Sequence, residues 1–194
     1  MITEPRWKSY MVETKKPIFT PEQCQMIINA GRSEPRQDAA VGNDKGDGGS
    51  AIDTEIRTSH ISWIPFSKMT DMYKDIERVM KATNGNHFGF DGMQITEMAQ
   101  YTEYPEGGLY DWHIDSDVNF AHEPVVRKIS MTCLLSPESE FEGGDLELMK
   151  EGKVAKLKQG HAIFFASFIR HRVAPVTRGN RKSLVMWFGG TPFK

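Results

Sequence analysis

The spacing of apolar residues changes period near the middle of the chain. In the front half, Cys24, Ile27, Ile28 and Gly31 fall at i, i+3, i+4 and i+7, one face of a helix. Its start is set by Thr20-Pro21-Glu22-Gln23. Thr20 can accept an orphan backbone N–H, Pro21 suits the first helical position, and Gln23 can reach back to complete a capping box. The helix should end near Gly31. A second helix is predicted from Ser67, carrying Met69, Met72, Tyr73, Ile76, Val79 and Met80 inward and stopping by Asn84-Gly85. Between them, residues 42–50 hold four glycines and no apolar side chain. Such a stretch cannot offset its ordering entropy by burial, so it is expected to be mobile, as a surface loop or as a lid.

From Met93 onward the runs shorten and alternate. Strands are predicted at 94–101, 109–115, 127–135, 145–149, 154–157, 162–166, 171–176 and 183–188. Gly-rich or polar breaks such as Pro105-Glu106-Gly107-Gly108 and Glu142-Gly143-Gly144 separate most of them. Eight short strands in about one hundred residues point to an antiparallel sandwich or jelly roll, with the helices covering one face. The expected organisation is a single domain, residues 1–194. Residues 1–91 form a helical support that carries the 42–50 loop, and residues 92–189 form the β core.

Length and charge narrow this. A chain of 194 residues is one domain's worth, and at this size roughly 70% of the extended surface is buried. Twenty-four Lys and Arg against 26 Asp and Glu leave a net charge of -2, unlike the basic footprint of a nucleic-acid or membrane-surface binder. No apolar run reaches the ~18 residues of a membrane span, and residues 1–11 hold no signal-peptide core. Cys24 and Cys133 fit no metal or redox spacing. A soluble cytoplasmic protein is expected.

The candidate chemistry begins at Tyr110-Asp111-Trp112-His113-Ile114-Asp115. Residues i and i+2 of a strand share a face, so His113 and Asp115 present an imidazole and a carboxylate together. That is two-thirds of a two-His, one-carboxylate set on an octahedral metal with open positions. The third ligand must come from His60, His87, His122, His161 or His171. His171 lies in a strand-like run far enough downstream to face the first. His122 reads as a loop residue, and His161 as a strand-end hydrogen-bonding group. Ten residues past His171 comes Arg181, sharing a face with Ser183. A guanidinium fork beside a hydroxyl suits a terminal carboxylate, and an inward Arg is costly to bury without such an anion.

In order, Arg57-Thr58-Ser59, the Tyr104-Pro105-Glu106-Gly107-Gly108 turn leading to His113-Ile114-Asp115, Arg127-Lys128-Ile129-Ser130, Phe141-Glu142-Gly143-Gly144-Asp145-Leu146, His171, Pro175-Val176, Gly179-Asn180-Arg181-Lys182-Ser183 and Trp187 resemble one family. It is that of the iron(II)- and 2-oxoglutarate-dependent oxygenases, in their prolyl 4-hydroxylase-like catalytic domain. The resemblance implies a double-stranded β-helix (jelly roll) core with flanking helices. It implies Fe(II) held by His113, Asp115 and His171, which are also the catalytic residues. It implies 2-oxoglutarate anchored by Arg181, with Tyr104 hydrogen-bonding the cosubstrate, Tyr101 as a rival for that role and Ser183 assisting. Trp187 would line the pocket or simply fill the core. Molecular oxygen is the oxidant and ascorbate a reductant. Many lysine-bearing prolyl hydroxylases differ from Arg181 here, which loosens any transfer of prolyl specificity.

The implied activity is hydroxylation of a C–H bond coupled to decarboxylation of 2-oxoglutarate to succinate, with a peptidyl, prolyl-type side chain as first substrate. A free amino acid or other small molecule is the second enzyme reading. A nucleobase demethylase fits the charge poorly, and a zinc hydrolase lacks a general-base glutamate at helical spacing from a His pair. From another class, the fold could be a metal-binding jelly-roll module without turnover, though Arg181, Ser183 and Tyr104 would then have no purpose. Apolar Ile129, Met131, Phe164 and Leu184 are candidate pocket walls or core. Tyr10, Trp7 and Phe193 are candidate interface or terminus-packing aromatics.

Overall fold

Thr20 caps the first helix, Pro21–Arg32, with both arms of the capping box formed by Gln23. These and the following features come from a computed structural model that describes residues 10–38, 41–42, 50–51, 56–116, 126–149 and 153–191. Cys24, Ile27, Ile28 and Gly31 are buried, so the expected face is the buried one. The second helix, Thr70–Thr83, buries Met72, Tyr73, Ile76 and Met80, while Met69 and Val79 pack at its margin. It starts three residues later than Ser67 because 65–68 form a turn closed by Lys68 N–H to the Pro65 carbonyl at 3.0 Å. At its far end the chain makes a π-turn over Asn84–Phe88 and leaves through left-handed Gly89. The Tyr73 hydroxyl ties this helix to two strands, donating to the Ile64 carbonyl and accepting from Ala99 N–H at 2.7 Å.

Two antiparallel sheets carry most of the rest, beside two-stranded ladders of Phe141–Gly143 with Val176–Gly179 and of Val41–Gly42 with Ser50–Ala51. The larger runs Met11–Glu13, Ala162–Ala166, Val126–Leu134, Arg181–Gly190, Ala99–Tyr104, His60–Ile64, Gln37–Asp38, with Gln94–Ile95 also paired to Arg181–Gly190. The smaller runs Lys153–Ala155, Leu146–Leu148, His171–Val173, Leu109–His113, Arg57–Thr58. This is the expected jelly roll, and four strands of these sheets come from residues before 91. Those strands are short edges or, for His60–Ile64, follow too closely on unpatterned sequence to stand out by period.

Several expected strands are cut or trimmed, three of them beside the gap between the sheets. The 94–101 strand divides into Gln94–Ile95 and Ala99–Tyr104, because the four residues between Ile95 and Gln100 oppose only two between Val185 and Phe188. The 171–176 strand stops at Val173 and resumes at Val176, since Pro175 brings no N–H to a ladder. The 109–115 strand ends at His113.

Period-two alternation then divides the long strand Arg181–Gly190 between two environments. Leu184, Met186 and Phe188 face the helices and, with Ile129, Met131, Cys133 and Phe164, make the core. Arg181, Ser183, Val185 and Trp187 face the gap between the sheets. Ile129, Met131, Phe164 and Leu184 are therefore core residues and do not line the cavity between the sheets. The core is where most of the stability resides, at ~25 cal/mol per Å² of apolar surface removed from water. The gap is where the polar and charged side chains collect.

Candidate active site

A cavity of about 440 Å³ lies between the sheets and is lined from both. At its floor, His113 and His171 are direct cross-strand partners in the antiparallel register, which sets their side chains on one face. Asp115 follows just after the strand end, its N–H bonded to the Ser167 carbonyl at 3.0 Å. That bend swings its carboxylate toward the larger sheet, where Ser130 Oγ donates to Oδ2 at 2.7 Å and is itself 3.0 Å from Ser167 Oγ.

The three side chains converge. His113 Nε2 lies 3.5 Å from Asp115 Oδ1, and His171 Nε2 lies 3.5 Å from Asp115 Oδ2. One donor atom from each falls within a 4.8 Å cluster. Donors on a single ion with bonds of about 2.1 Å stand roughly 3 Å apart, so the set is close to ligating geometry. The tautomers suit it too. Each imidazole uses Nδ1–H to bond a carbonyl two residues back, His113 to Asp111 at 2.7 Å and His171 to Ile169 at 2.9 Å. Both Nε2 lone pairs are thereby left facing the carboxylate. Burial lowers the His171 pKa and favours the neutral, ligand-ready ring. Burial alone would raise Asp115, but His171, His113 and the Ser130 hydroxyl outweigh it and hold the carboxyl well below its usual range. Two imidazoles and one carboxylate with open positions are the donor set of a non-haem Fe(II) centre.

Arg181 sits at one side of this floor and is 2% exposed. Its Nη1 donates to Ser183 Oγ at 3.2 Å, and its guanidinium lies 5.6 Å from the ring centre of Tyr104, its cross-strand partner. Burial lowers its pKa, against the smaller opposite pull of Tyr104 and Asp145. Gly144, at φ 64°, makes room for it: a Cβ there would stand 2.8 Å from Arg181 Cδ. Tyr104, Ser183 and Trp187 all line the cavity with Arg181. Trp187 also carries a buried indole N–H with no hydrogen-bond partner among the described residues.

Tyr101 is not brought to the cavity. It lies an odd number of residues from Tyr104, so it faces the helix side, where its ring packs on Gly31 and its hydroxyl donates to Glu103. The other described histidines lie apart from the cluster. His60 pairs with Asp38 at 3.0 Å, and His87 lies in the π-turn. His161 caps a strand end through the Thr14 carbonyl at 3.0 Å. His122 and all but the ends of the 42–50 loop lie outside the described residues, as do Trp7 and Phe193.

Several lining residues carry no role in the sequence reading: Arg57, Trp63, Gln100, Tyr110 and Arg127. Arg57 is cross-strand to Tyr110, whose ring stacks on His113 with centroids 3.5 Å apart. Burial pushes the Tyr110 hydroxyl up to about 12, so it is a neutral phenol at physiological pH. Arg127 pairs with Glu97 and covers Trp187 at 4.2 Å from the ring centre. It reaches the cavity because the register slips between Arg127 and Ile129, a bulge that alternation does not reveal. Trp63 lies two residues from Ile61 in His60–Ile64 and lines the cavity with it, in a strand that does not stand out by period.

Comparison with known proteins agrees with this geometry. Residues 99–189 match the family model described as the 2OG-Fe(II) oxygenase superfamily. A PKHD-type hydroxylase of Colwellia psychrerythraea is 34% identical over 124 residues, 61% of this chain and 55% of that protein. One from Acidovorax ebreus is 35% identical over 95 residues, 45% of this chain and 41% of that protein. The chain thus spans about half the length of the curated relatives it matches. A viral collagen prolyl hydroxylase from Paramecium Bursaria Chlorella virus-1 superposes with a TM-score of 0.72 at 20% identity, over 94% of this chain and 97% of that one. A Pseudomonas putida prolyl-4-hydroxylase does so at 0.70 and 19%, over 94% of each. The two likenesses extend the shared jelly roll beyond the matched segment, and within it the cluster His113, Asp115 and His171 falls inside residues 99–189. Residues 99–189 are thus similar to the 2OG-Fe(II) oxygenase superfamily, and the chain shares the jelly-roll fold of these two prolyl hydroxylases.

Proposed function

We propose that this protein is an Fe(II)- and 2-oxoglutarate-dependent dioxygenase that hydroxylates a C–H bond, with a peptidyl, prolyl-type side chain as the first substrate class. The observation that carries the reading is the pairing of two devices in one cavity. An imidazole and carboxylate cluster shares the cavity with a buried guanidinium that has no carboxylate partner among the described residues.

His113, Asp115 and His171 would hold the metal; Arg181, Ser183 and Tyr104 would bind the far carboxylate of the cosubstrate. The bound pair supplies the coupled conversion of 2-oxoglutarate and O2 to succinate and CO2, with one oxygen atom delivered to the substrate as hydroxyl. The chain's own part is positioning. The Nδ1–H bonds hold both imidazoles in one tautomer, Ser130 fixes the carboxylate, and the two sheets exclude water from the floor. Ascorbate is the expected reductant. The two free, buried thiols fit a cytoplasmic setting, and among the described residues no helix is long and apolar enough to cross a membrane.

The test is an anaerobic titration with Fe(II) and then 2-oxoglutarate, followed by coupled turnover on prolyl peptides. A visible metal-to-ligand charge-transfer band is expected in the wild type, and Asp115→Ala should lose turnover altogether. Undiminished 2-oxoglutarate consumption by that variant would overturn the ligand assignment. A folded, iron-loaded wild type without the band would favour a binding module.

A further inference from the structure

Among the described residues two arginines are buried, Arg57 at 8% exposure and Arg181 at 2%. They are built alike. Each is the cross-strand partner of a tyrosine, Arg57 of Tyr110 in the smaller sheet and Arg181 of Tyr104 in the larger. Each has its guanidinium near that tyrosine's ring, at 4.3 Å and 5.6 Å from the centroids. Each donates to the serine two residues on, Arg57 Nε to Ser59 Oγ at 3.0 Å and Arg181 Nη1 to Ser183 Oγ at 3.2 Å. Both line the same cavity.

They also share what they lack. Arg32, Arg78, Arg127, Arg172 and Arg178 each pair with a carboxylate. Among the described residues neither Arg57 nor Arg181 does, although these are the two that have left water. Arg57's remaining contact is Nη2 to Gln100 Oε1 at 3.0 Å, a neutral acceptor. A buried cation held by neutral groups bears most of its desolvation cost uncompensated. That cost is sensible where an anion arrives to meet it. One such anion is the cosubstrate at Arg181. The second guanidinium, in the opposite sheet wall, calls for another.

We propose that Arg57 is a second carboxylate-binding position, and that it selects a substrate carrying a carboxylate beside the carbon to be hydroxylated. The carboxylate belongs to a terminal residue or to a flanking acidic side chain; both offer two oxygens to a planar fork. Arg57 is thus a specificity residue, and its assignment rests on the oxygenase reading for the meaning of the word substrate. Its stack on Tyr110, which in turn stacks on His113, places the bound carboxylate next to the metal cluster rather than at the cavity mouth.

The experiment uses Fe(II)-loaded protein without oxygen, with saturating 2-oxoglutarate to fill the Arg181 side. Binding is read by tryptophan fluorescence, since Trp63 and Trp187 line the cavity. The probes are N-acetylproline, N-acetylprolyl-aspartate amide and the neutral N-acetylprolinamide. At least one acidic probe should bind tenfold or more tighter than the neutral one, and which acidic probe does so identifies the source of the carboxylate. Arg57→Gln should bring all three within about twofold while the 2-oxoglutarate band remains; Arg57→Lys should keep part of the preference. A wild type that shows the band but binds acid and amide alike overturns the Arg57 assignment by itself, with no variant required. A wild type that discriminates between the probes in a run without 2-oxoglutarate, and shows no band once 2-oxoglutarate is added, supports Arg57 and sinks the oxygenase reading. Loss of 2-oxoglutarate binding in Arg57→Gln would instead make Arg57 part of the cosubstrate site and overturn the proposal.

Discussion

Tyr101 and Tyr104 stand three residues apart in one strand, Ala99–Tyr104, and do unrelated work. Gln100 and Tyr104 face the cavity, against Arg57 and Arg181. Tyr101 and Glu103 face the first helix, against Gly31 and Arg32. Both faces are buried and polar at their centres, yet they differ in one respect. The helix-side carboxylate Glu103 has its counter-charge within the protein, through Arg32 Nε at 2.7 Å. The cavity-side cation Arg181 has none among the described residues. A closed ion pair is a structural device, and an open one awaits a ligand. The variants below test that contrast, beginning with the largest effect.

Arg181→Gln should weaken 2-oxoglutarate binding by about two to three decades, since it removes charge-assisted bonds worth roughly 3–4 kcal/mol together. Stability of the ligand-free protein should not fall, because the variant removes a buried charge that has no internal partner. An anaerobic 2-oxoglutarate titration and a urea denaturation read the two effects separately. Affinity within threefold of wild type would move the anchor elsewhere; a large loss of stability would make Arg181 a closed, structural group.

On the other face, Gly31→Ala should reverse that pattern. A Cβ at Gly31 would lie 2.3 Å from Tyr101 Cγ, on a ring held between helix and sheet. Overpacking of this kind costs about 1–3 kcal/mol, of which alanine's helix propensity returns up to ~1. A net loss of about 1–2 kcal/mol in urea is expected, with 2-oxoglutarate affinity unchanged within twofold. Unaltered stability would show that the helix can retreat and that this face is loosely packed.

How much of this was legible follows the same division. The inward pairings could be read because their signals are local and strong: His113 with Asp115, and Arg181 with Ser183, two apart and lying in or just past apolar strands. The capping box of the first helix was legible for the same reason. What escaped depended on partners far away in sequence. Arg57 gains meaning from Tyr110 and Gln100, which only the sheet register brings to it. Arg127 points inward through a bulge, against the parity of its strand. The choice between Tyr101 and Tyr104 was a matter of parity against Arg181, and it required knowing that Tyr104, not Tyr101, pairs with it. Asp115 was placed correctly on its face for a partly different reason, since the strand ends at His113 and a bend held by Ser167 delivers the carboxylate.

The smallest effect concerns the closed pair itself. Burial alone would raise the Glu103 carboxyl, but hydrogen bonds from Arg32, Tyr101 and Asn180 outweigh it and bring the pKa down to about 2. A carboxyl depressed in the folded state adds stability that is fully present above its unfolded pKa, about 4.3, and lost as pH falls toward the folded value. Glu103→Gln keeps the shape and removes the charge. Arg32 is half exposed, so screening limits the loss at pH 7 to on the order of 1 kcal/mol. The informative quantity is the difference between wild type and variant across pH. The depressed Asp115 titrates in both proteins and cancels from it. That difference should hold steady from pH 7 to about 5, shrink between about 4.3 and 2, and vanish below, as followed by urea midpoints. A difference that stays constant down to pH 2 would mean that packing, not charge, joins this strand to its helix, and the contrast between a closed and an open ion pair would lose its closed half.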